Sequence, residues 1–378
     1  MRLSIFLLLC LYCLLLSQTI SSVEGLFENG NNITIHGISF GTKTSASPLI
    51  SSYDNVTSAN NWSTGSLAGS WTSSGTIGLN NGSPLRTNFY QSSYKIRYDV
   101  SGSYKSVRYY HPNAEDKLYI SCWWYNDFTS WGQNTGSGNN SKFIRVYQNS
   151  SGSGGNWVIT LNCNDAGVVE NYTNTAEGCV TPNYWNLAYN GGNAFKYSSV
   201  IYDCRTSTYI PPLQQWNHIE VLADYPSSLG AQDAIMVYCL NGRTIARNTG
   251  ISLNEAGQTN NIRWILLGLV SGSYSPSKYA YIDEVYIDNT PARVFISNAS
   301  NIASSTDYGS TNHREIQVCS SWSNDQITFT LNQGVFANGE IGYIYVVSPN
   351  GNISNSHEIT FGSSTNNPQT PSGLLINP

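Results

Sequence analysis

With 378 residues, 40% of them hydrophobic and 12% aromatic, the chain can fill more than one core, which excludes a disordered protein. Only 11% of residues are charged and the net charge is −5, so Ser, Thr, Asn and Gly carry solubility, and no basic stripe exists to hold nucleic acid. No helical period is sustained from Pro48 to Thr290, and the predicted class is all-β.

The chain opens with Met1-Arg2 and the apolar run Leu3 to Leu16, a charged start followed by a core too short to cross a membrane. That is the form of a secretory signal peptide. Small residues from Ser21 to Gly25 offer the cut, which predicts a leader of residues 1–24 and a secreted, extracellular protein without a transmembrane span. Cys10 and Cys13 leave with the leader, and six cysteines remain: Cys122, Cys163, Cys179, Cys204, Cys239 and Cys319. In a secreted chain they read as disulfide candidates. Cys163 and Cys179 enclose a polar loop whose closure would stabilise by about 3 kcal/mol. Cys122 and Cys239, inside strand-like runs, read alternatively as buried thiols.

Glycosylation triplets stand at Asn32, Asn55, Asn61, Asn139, Asn149, Asn171, Asn298 and Asn352, with a ninth at Asn81 that Pro84 disfavours. Chance alone supplies a set of that size in so Asn- and Ser-rich a chain. Only secretion argues for their use.

The first strand signal is Ile33 to Gly41, where Ile33, Ile35 and Phe40 are the apolar residues and Gly37 and Gly41 bracket the aromatic, as glycines do where a strand bends. From Leu118 to Tyr125, Leu118, Ile120, Cys122 and Trp124 alternate with Tyr119, Ser121, Trp123 and Tyr125, giving an aliphatic-leaning face and an aromatic one. Further strands are predicted over 143–147, 157–161, 216–222, 234–240, 263–269 and 279–288. Asn241-Gly242 marks a two-residue hairpin turn, which needs positive φ at both positions. Strand signals then resume at Val294-Phe295-Ile296, Trp322 to Phe329, Tyr343 to Val347 and Ile359 to Phe361, with turns at Gly334 and Asn350-Gly351.

Gly37, Phe40 and Gly41 match the Gly-x-x-Phe-Gly motif of the immunoglobulin-like TIG (IPT) family, and Arg293 to Phe361 resembles the remaining strands of that sandwich in order and spacing. The run Trp216 to Val221, then Val237 to Gly242, then Tyr281-Ile282-Asp283-Glu284-Val285-Tyr286-Ile287-Asp288 resembles the last third of concanavalin-like, laminin-G-like jelly rolls. Together these imply a jelly-roll sandwich over 48–290 inserted into a small Ig-like β-sandwich formed by 25–47 and 291–362, with a tail over 363–378. In related jelly rolls an Asp on the closing strand can help hold a structural calcium, so the resemblance makes Asp283 a candidate ligand.

The chemistry of the chain favours binding over turnover. Jelly-roll glycosidases carry their carboxylates on one face of a strand, whereas Asp283 and Asp288 are five apart and are expected on opposite faces. The alginate-lyase type needs a Gln-x-His strand, and none of His36, His111, His218, His313 and His357 supplies one. The histidines are too scattered for a transition-metal site. Tyr119, Trp123 and Tyr125 would be stacking platforms for sugar rings if their face is the concave one. The leading expectation is a non-catalytic extracellular protein with a structural or adhesive role, such as a glycoprotein filament or matrix subunit. The alternatives are a lectin-like carbohydrate-binding module and a polysaccharide lyase or glycosidase.

The expected partners are glycans or extracellular matrix. A leader ending near residue 24 leaves no strand before Ile33, so the small sandwich is expected to lack an edge strand. The apolar Leu374, Leu375 and Ile376 could fill such an edge in cis or on a neighbouring subunit.

Overall fold

The computed structural model describes residues 18–52, 77–80, 82–87, 93–98, 105–110, 115–127, 140–147, 156–161, 180–181, 185–186, 212, 214–225, 227–228, 231, 233–251, 264–271, 278–306, 309 and 312–364. The chain is all-β, and it divides into two compact units, one made of residues 1–47, 292–308 and 312–378 and the other of 48–291 and 309–311. The first unit begins with β1 (Thr19–Glu24) and β2 (Asn32–Ile38).

The second unit then contributes β3 (Ile50–Ser52), β4 (Ile77–Asn80), β5 (Ser93–Tyr98), β6 (Lys105–Tyr110), β7 (Lys117–Asn126), β8 (Asn140–Tyr147) and β9 (Asn156–Leu161). It continues through β10 (Val180–Thr181), β11 (Trp185–Asn186), β12 (Trp216–Asp224), β13 (Ala234–Leu240), β14 (Arg243–Ile251), β15 (Trp264–Ser271) and β16 (Lys278–Asp288). The first unit closes with β17 (Arg293–Ser297), β18 (Arg314–Trp322), β19 (Gln326–Thr330), β20 (Ile341–Val347) and β21 (His357–Thr360).

In the smaller unit the strand order is β1-β2-β19-β18-β17-β20-β21, so segments almost 300 residues apart in sequence become neighbours: Ile33 faces Phe329 and Ile35 faces Ile327. Phe40 is buried in the core that Phe329 and Ile344 also fill, with Trp322 packed against it. The two glycines of the motif have separate physical reasons. A Cβ on Gly37 would lie 2.1 Å from the Thr19 carbonyl oxygen and 2.3 Å from the Phe40 ring, so the strand pairs with β1 and seats Phe40 only because nothing is there. Gly41 takes φ of +75°, and its carbonyl accepts the Trp322 indole N–H at 3.1 Å.

Strand β1 corrects two sequence expectations. Its residues fall inside the predicted 1–24 leader, yet Thr19 to Glu24 pair antiparallel with β2 and bury Ile20 and Val23 in the core. A cut between Ser21 and Gly25 would remove this edge strand from the sheet. Small residues alone mislead here because Ser21 and Ser22 lie between two buried aliphatic residues of a strand. The expected vacant edge is filled by the same strand. Its outer side is occupied too: Ile20 N–H donates to Asn355 Oδ1 at 2.7 Å, and Asn355 Nδ2 donates back to the Ile20 carbonyl at 3.2 Å. The tail residues Leu374, Leu375 and Ile376 lie outside the described residues.

The larger unit is built from a six-stranded sheet, β10-β9-β8-β15-β6 with β11 beside β9, and an eight-stranded sheet, β14-β13-β12-β7-β16-β5-β4 with β3 beside β16. The predicted Asn241-Gly242 turn is present, with φ of 46° and 79°, and Asn241 is tied to β12: its side chain accepts from the His218 amide at 2.8 Å and donates to Asn217 Oδ1 at 2.8 Å. That turn anchors the strand end from which His218 projects.

Cys122, Cys239 and Cys319 correct the disulfide expectation, since all three are buried thiols rather than disulfide halves. Cys122 sits on the apolar face of β7, where burial pushes its thiol up to about 12, too high for thiolate chemistry at neutral pH. Cys163, Cys179 and Cys204 lie outside the described residues, as do Asn55, Asn61, Asn81, Asn139, Asn149 and Asn171. Asn32, Asn298 and Asn352 are exposed.

Candidate functional site

The alternation along β7 places Leu118, Ile120, Cys122 and Trp124 in the buried apolar face and Tyr119, Ser121, Trp123 and Tyr125 on the other. Because β12 and β16 flank β7 in antiparallel register, that second face is a grid of four layers. In the first, Trp216, Tyr125 and Tyr281 stand opposite one another; in the second, His218, Trp123 and Asp283. The third holds Glu220, Ser121 and Tyr286, and the fourth Leu222, Tyr119 and Asp288.

The register of β16 shifts between Asp283 and Tyr286, so one extra residue is inserted. Glu284 occupies the bulge with φ of 44°, a left-handed conformation uncommon outside glycine, and Asp283 Oδ1 accepts the Glu284 amide at 2.8 Å. This overturns the expectation that Asp283 and Asp288 point to opposite faces. Counting by twos fails across a bulge, and the two acids share one face. Nothing in the sequence announces the bulge, because its left-handed residue is a glutamate rather than Gly or Asn.

The first layer is an aromatic row. The Tyr125 ring lies 5.6 Å from Trp216 and 5.7 Å from Tyr281, and Tyr279 extends the row along β16 at 6.5 Å from Tyr281. Trp216, Tyr125 and Tyr279 are half-buried, so ring edges and faces reach solvent. Burial, and then the charge of Asp127, push the Tyr281 phenol up to about 12, and the same two causes raise Tyr125. Both phenols therefore stay neutral O–H donors through the physiological range. Asp127 itself accepts the Tyr279 amide at 2.8 Å. Sequence inspection missed Trp216, Tyr279 and Tyr281, although the strand pairing of 216–222 and 279–288 with β7 would have placed them.

Behind the row the face becomes polar and closed. Trp123 stands between its two flanking strands with the His218 ring stacked on one side at 4.7 Å and the Arg86 guanidinium 4.3 Å over its centroid, while Arg86 is ion-paired to Glu284. Ser121 Oγ and His218 Nε2 are 2.8 Å apart, His218 Nδ1 lies 3.7 Å from Glu220 Oε2, and the Tyr119 hydroxyl donates to Glu220 Oε1 at 2.5 Å. Ser121, His218 and Glu220 are 1%, 2% and 3% exposed, so this chain of groups is an internal network rather than an accessible nucleophile with its base. Tyr119, expected as a platform, is buried within that network. Of the three aromatic residues singled out on β7, Tyr125 alone belongs to the half-open row, and Trp123 is present but enclosed.

Among the described residues no group of three or more His, Cys, Asp or Glu is arranged to hold a metal, and one Asp283 oxygen accepts the Glu284 amide. Among the described side chains of the face the acids are Asp127, Glu220, Asp283, Glu284 and Asp288 and the guanidinium is Arg86, Lys117 pairs with Asp224 at 3.0 Å, and the register of β5 sets Lys95 and Arg97 opposite Tyr281 and Tyr279.

No known protein family matches the chain, and no curated protein matches it. Among solved structures it is similar to an endo-β-1,4-glucuronan lyase from the fungus Trichoderma reesei, at 8% identity and a TM-score of 0.36, over 58% of this chain and 88% of that one. It is also similar to the alginate lyase Aly36B, at 12% identity and a TM-score of 0.35, over 56% and 86%. The catalytic domain of a glycoside hydrolase family 131 protein from Coprinopsis cinerea matches at 12% identity and a TM-score of 0.30, over 57% and 80%. These values are low, and the functional conclusion rests on the sheet face itself.

Proposed function

We propose that this is a secreted, non-catalytic adhesive protein whose larger domain binds a neutral glycan along the row Trp216, Tyr125, Tyr281 and Tyr279. The observation that carries the proposal is that row: adjacent rings, with Trp216, Tyr125 and Tyr279 half-buried and Tyr281 buried between Tyr125 and Tyr279, and phenols on Tyr125 and Tyr281 that remain hydrogen-bond donors. Flat apolar faces with a polar tip suit sugar rings, whose C–H faces stack while their hydroxyls need partners. Asp127, whose charge is felt by both Tyr125 and Tyr281, disfavours a polyuronate on the row, because like charges at a partly buried face repel at short range. The smaller domain we assign to the TIG family on Gly37, Phe40 and Gly41, each with a physical role in seating Phe40 against β1. Exposed Asn32, Asn298 and Asn352 are the proposed glycosylation sites among the described residues.

Affinity electrophoresis of the purified chain through gels containing neutral glucans, mannans and chitin-derived polymers, with alginate and glucuronan alongside, tests the proposal. Retardation by a neutral polymer and free passage through the uronates is the expected result. Retardation by the uronates alone rejects it. A polysaccharide lyase or glycosidase is the second reading, favoured by the bulge that brings Asp283 and Asp288 to one face. New unsaturated or reducing ends in the same incubations would identify it.

A further inference from the structure

We propose that Asp127 is a specificity-determining residue of the row, its carboxylate accepting hydrogen bonds from two adjacent hydroxyls of the sugar that stacks beside Tyr125 and Tyr279. The inference rests on the glycan-binding proposal above and adds to it the group that reads the ligand. Stacking alone does not read it. A flat ring holds any sugar face of matching size, and the orientation of the sugar is fixed by polar groups at the margin of the rings.

Strand pairing sets Asp127 at that margin. It follows directly on β7, two residues beyond Tyr125, and the alternation of the strand keeps it on the Tyr125 face. Its amide donates to the Tyr279 carbonyl at 3.1 Å and its Oδ1 accepts the Tyr279 amide at 2.8 Å, which continues the Asn126–Ala280 register by one residue and holds the carboxylate against β16. Asp127 is half-buried, as are Tyr125 and Tyr279. After burial, its charge is the next cause that raises the phenols of Tyr125 and Tyr281, so the carboxylate lies near both. Lys95 and Arg97, opposite Tyr281 and Tyr279 in the register of β5, stand across β16 from this acid.

The margin therefore combines phenols that donate with an ionised group that only accepts. A carboxylate offers about four acceptor positions, so the amide bond at Oδ1 is compatible with hydroxyls on both oxygens. Hydrogen bonds to a charged acceptor are the stronger kind, and two neighbouring hydroxyls can address the two oxygens of one carboxylate. The ligand class that follows is a neutral glycan with free adjacent ring hydroxyls, as in 1,4-linked glucans and mannans. In chitin-derived polymers an acetamido group replaces one hydroxyl of each pair.

The test is calorimetric binding of the full chain to cellohexaose, β-1,4-linked mannohexaose and chitohexaose, and to the first two after methylation of their hydroxyls. The wild type tests the acceptor without any substitution: it should bind cellohexaose or mannohexaose more tightly than chitohexaose, and methylation should weaken that binding by about tenfold or more. Asp127→Asn keeps an oxygen for the Tyr279 amide and removes the charge, so its melting curve should stay cooperative. It should bind the unmodified hexaose about tenfold more weakly, and methylation should then cost it no more than about threefold.

A wild type that binds the methylated and unmodified hexaoses equally overturns the role of Asp127 and leaves the row intact, as does binding of chitohexaose alone. Asp127→Asn binding as tightly as the wild type overturns it too. So does an equal loss of both the methylated and the unmodified ligand in that variant, which would mark Asp127 as a purely structural end to the strand pair. A wild type that binds none of the three hexaoses overturns the parent proposal together with this one.

Discussion

Phe40 and Tyr281 show how far single residues can be read. Phe40 sits in the smaller core with no solvent exposure, under a strand that approaches it only because Gly37 lacks a Cβ. Phe40→Ala should cost about 3–5 kcal/mol, the loss typical of a large buried aromatic, seen as an earlier denaturant transition for the smaller domain. A cost below about 1 kcal/mol would mean that the core collapses onto the gap. Tyr281 sets a pH dependence. Its folded phenol is raised to about 12 by burial first and the Asp127 charge second, against 10.0 for the free side chain. Above pH 10 the unfolded chain loses the proton that the folded chain keeps, so stability is intact below 10 and falls as pH rises towards 12. Unfolding of the larger domain in urea at pH 9 and pH 11 should show that fall, and Tyr281→Phe should reduce it; an equal fall in the variant would assign the effect elsewhere. Residues such as Gly37, Phe40 and Asn241-Gly242 were legible in the sequence because a backbone requirement selects few residue types. The row residue Tyr281 was not, because tyrosine on a strand says nothing of its neighbours until the strands are paired.

At the scale of elements, β16 and β1 each carry a feature that periodicity cannot convey. Alternation along β7 gave its two faces correctly, since an unbroken strand keeps its period. Across β16 the bulge reverses the phase after Asp283, and the acids Asp283 and Asp288 meet on one face. The bulge is held by the Arg86–Glu284 pair, so Glu284→Gln should destabilise the larger domain by about 3–5 kcal/mol by leaving Arg86 buried without its counter-charge, and R86A/E284Q should recover part of that loss. A double variant no more stable than Glu284→Gln would refute the coupling; equilibrium unfolding of the wild type and these two variants measures it. Strand β1 was hidden for a different reason: the apolar run Leu3 to Leu16 and a strand with two serines follow one another without a clear break in composition. Its outer edge is closed by Asn355 on both the amide and the carbonyl of Ile20. Asn355→Ala should cost about 1–3 kcal/mol through those unpaired groups and expose an edge, read as new concentration-dependent association by light scattering. Unchanged association and unchanged stability would show that the edge needs no such cover.

For the whole molecule, the all-β class was legible from the absence of a helical period, and the larger unit from the strand runs that interrupt the smaller one. The binding face was legible only on β7. Its other two contributors lie about 90 and 155 residues further along, and their register is set by tertiary pairing, not by local sequence. The central claim is that a neutral glycan lies on the row that this pairing assembles. The measurement that tests it most directly is the dissociation constant of the wild type and of Tyr125→Ala for the neutral oligosaccharide that the chain retains. Tyr125 touches both Trp216 and Tyr281, so its loss should weaken binding roughly tenfold, corresponding to about 1.4 kcal/mol, with the melting curve of the domain still cooperative. An unchanged dissociation constant in a folded Tyr125→Ala variant would contradict the assignment of this face.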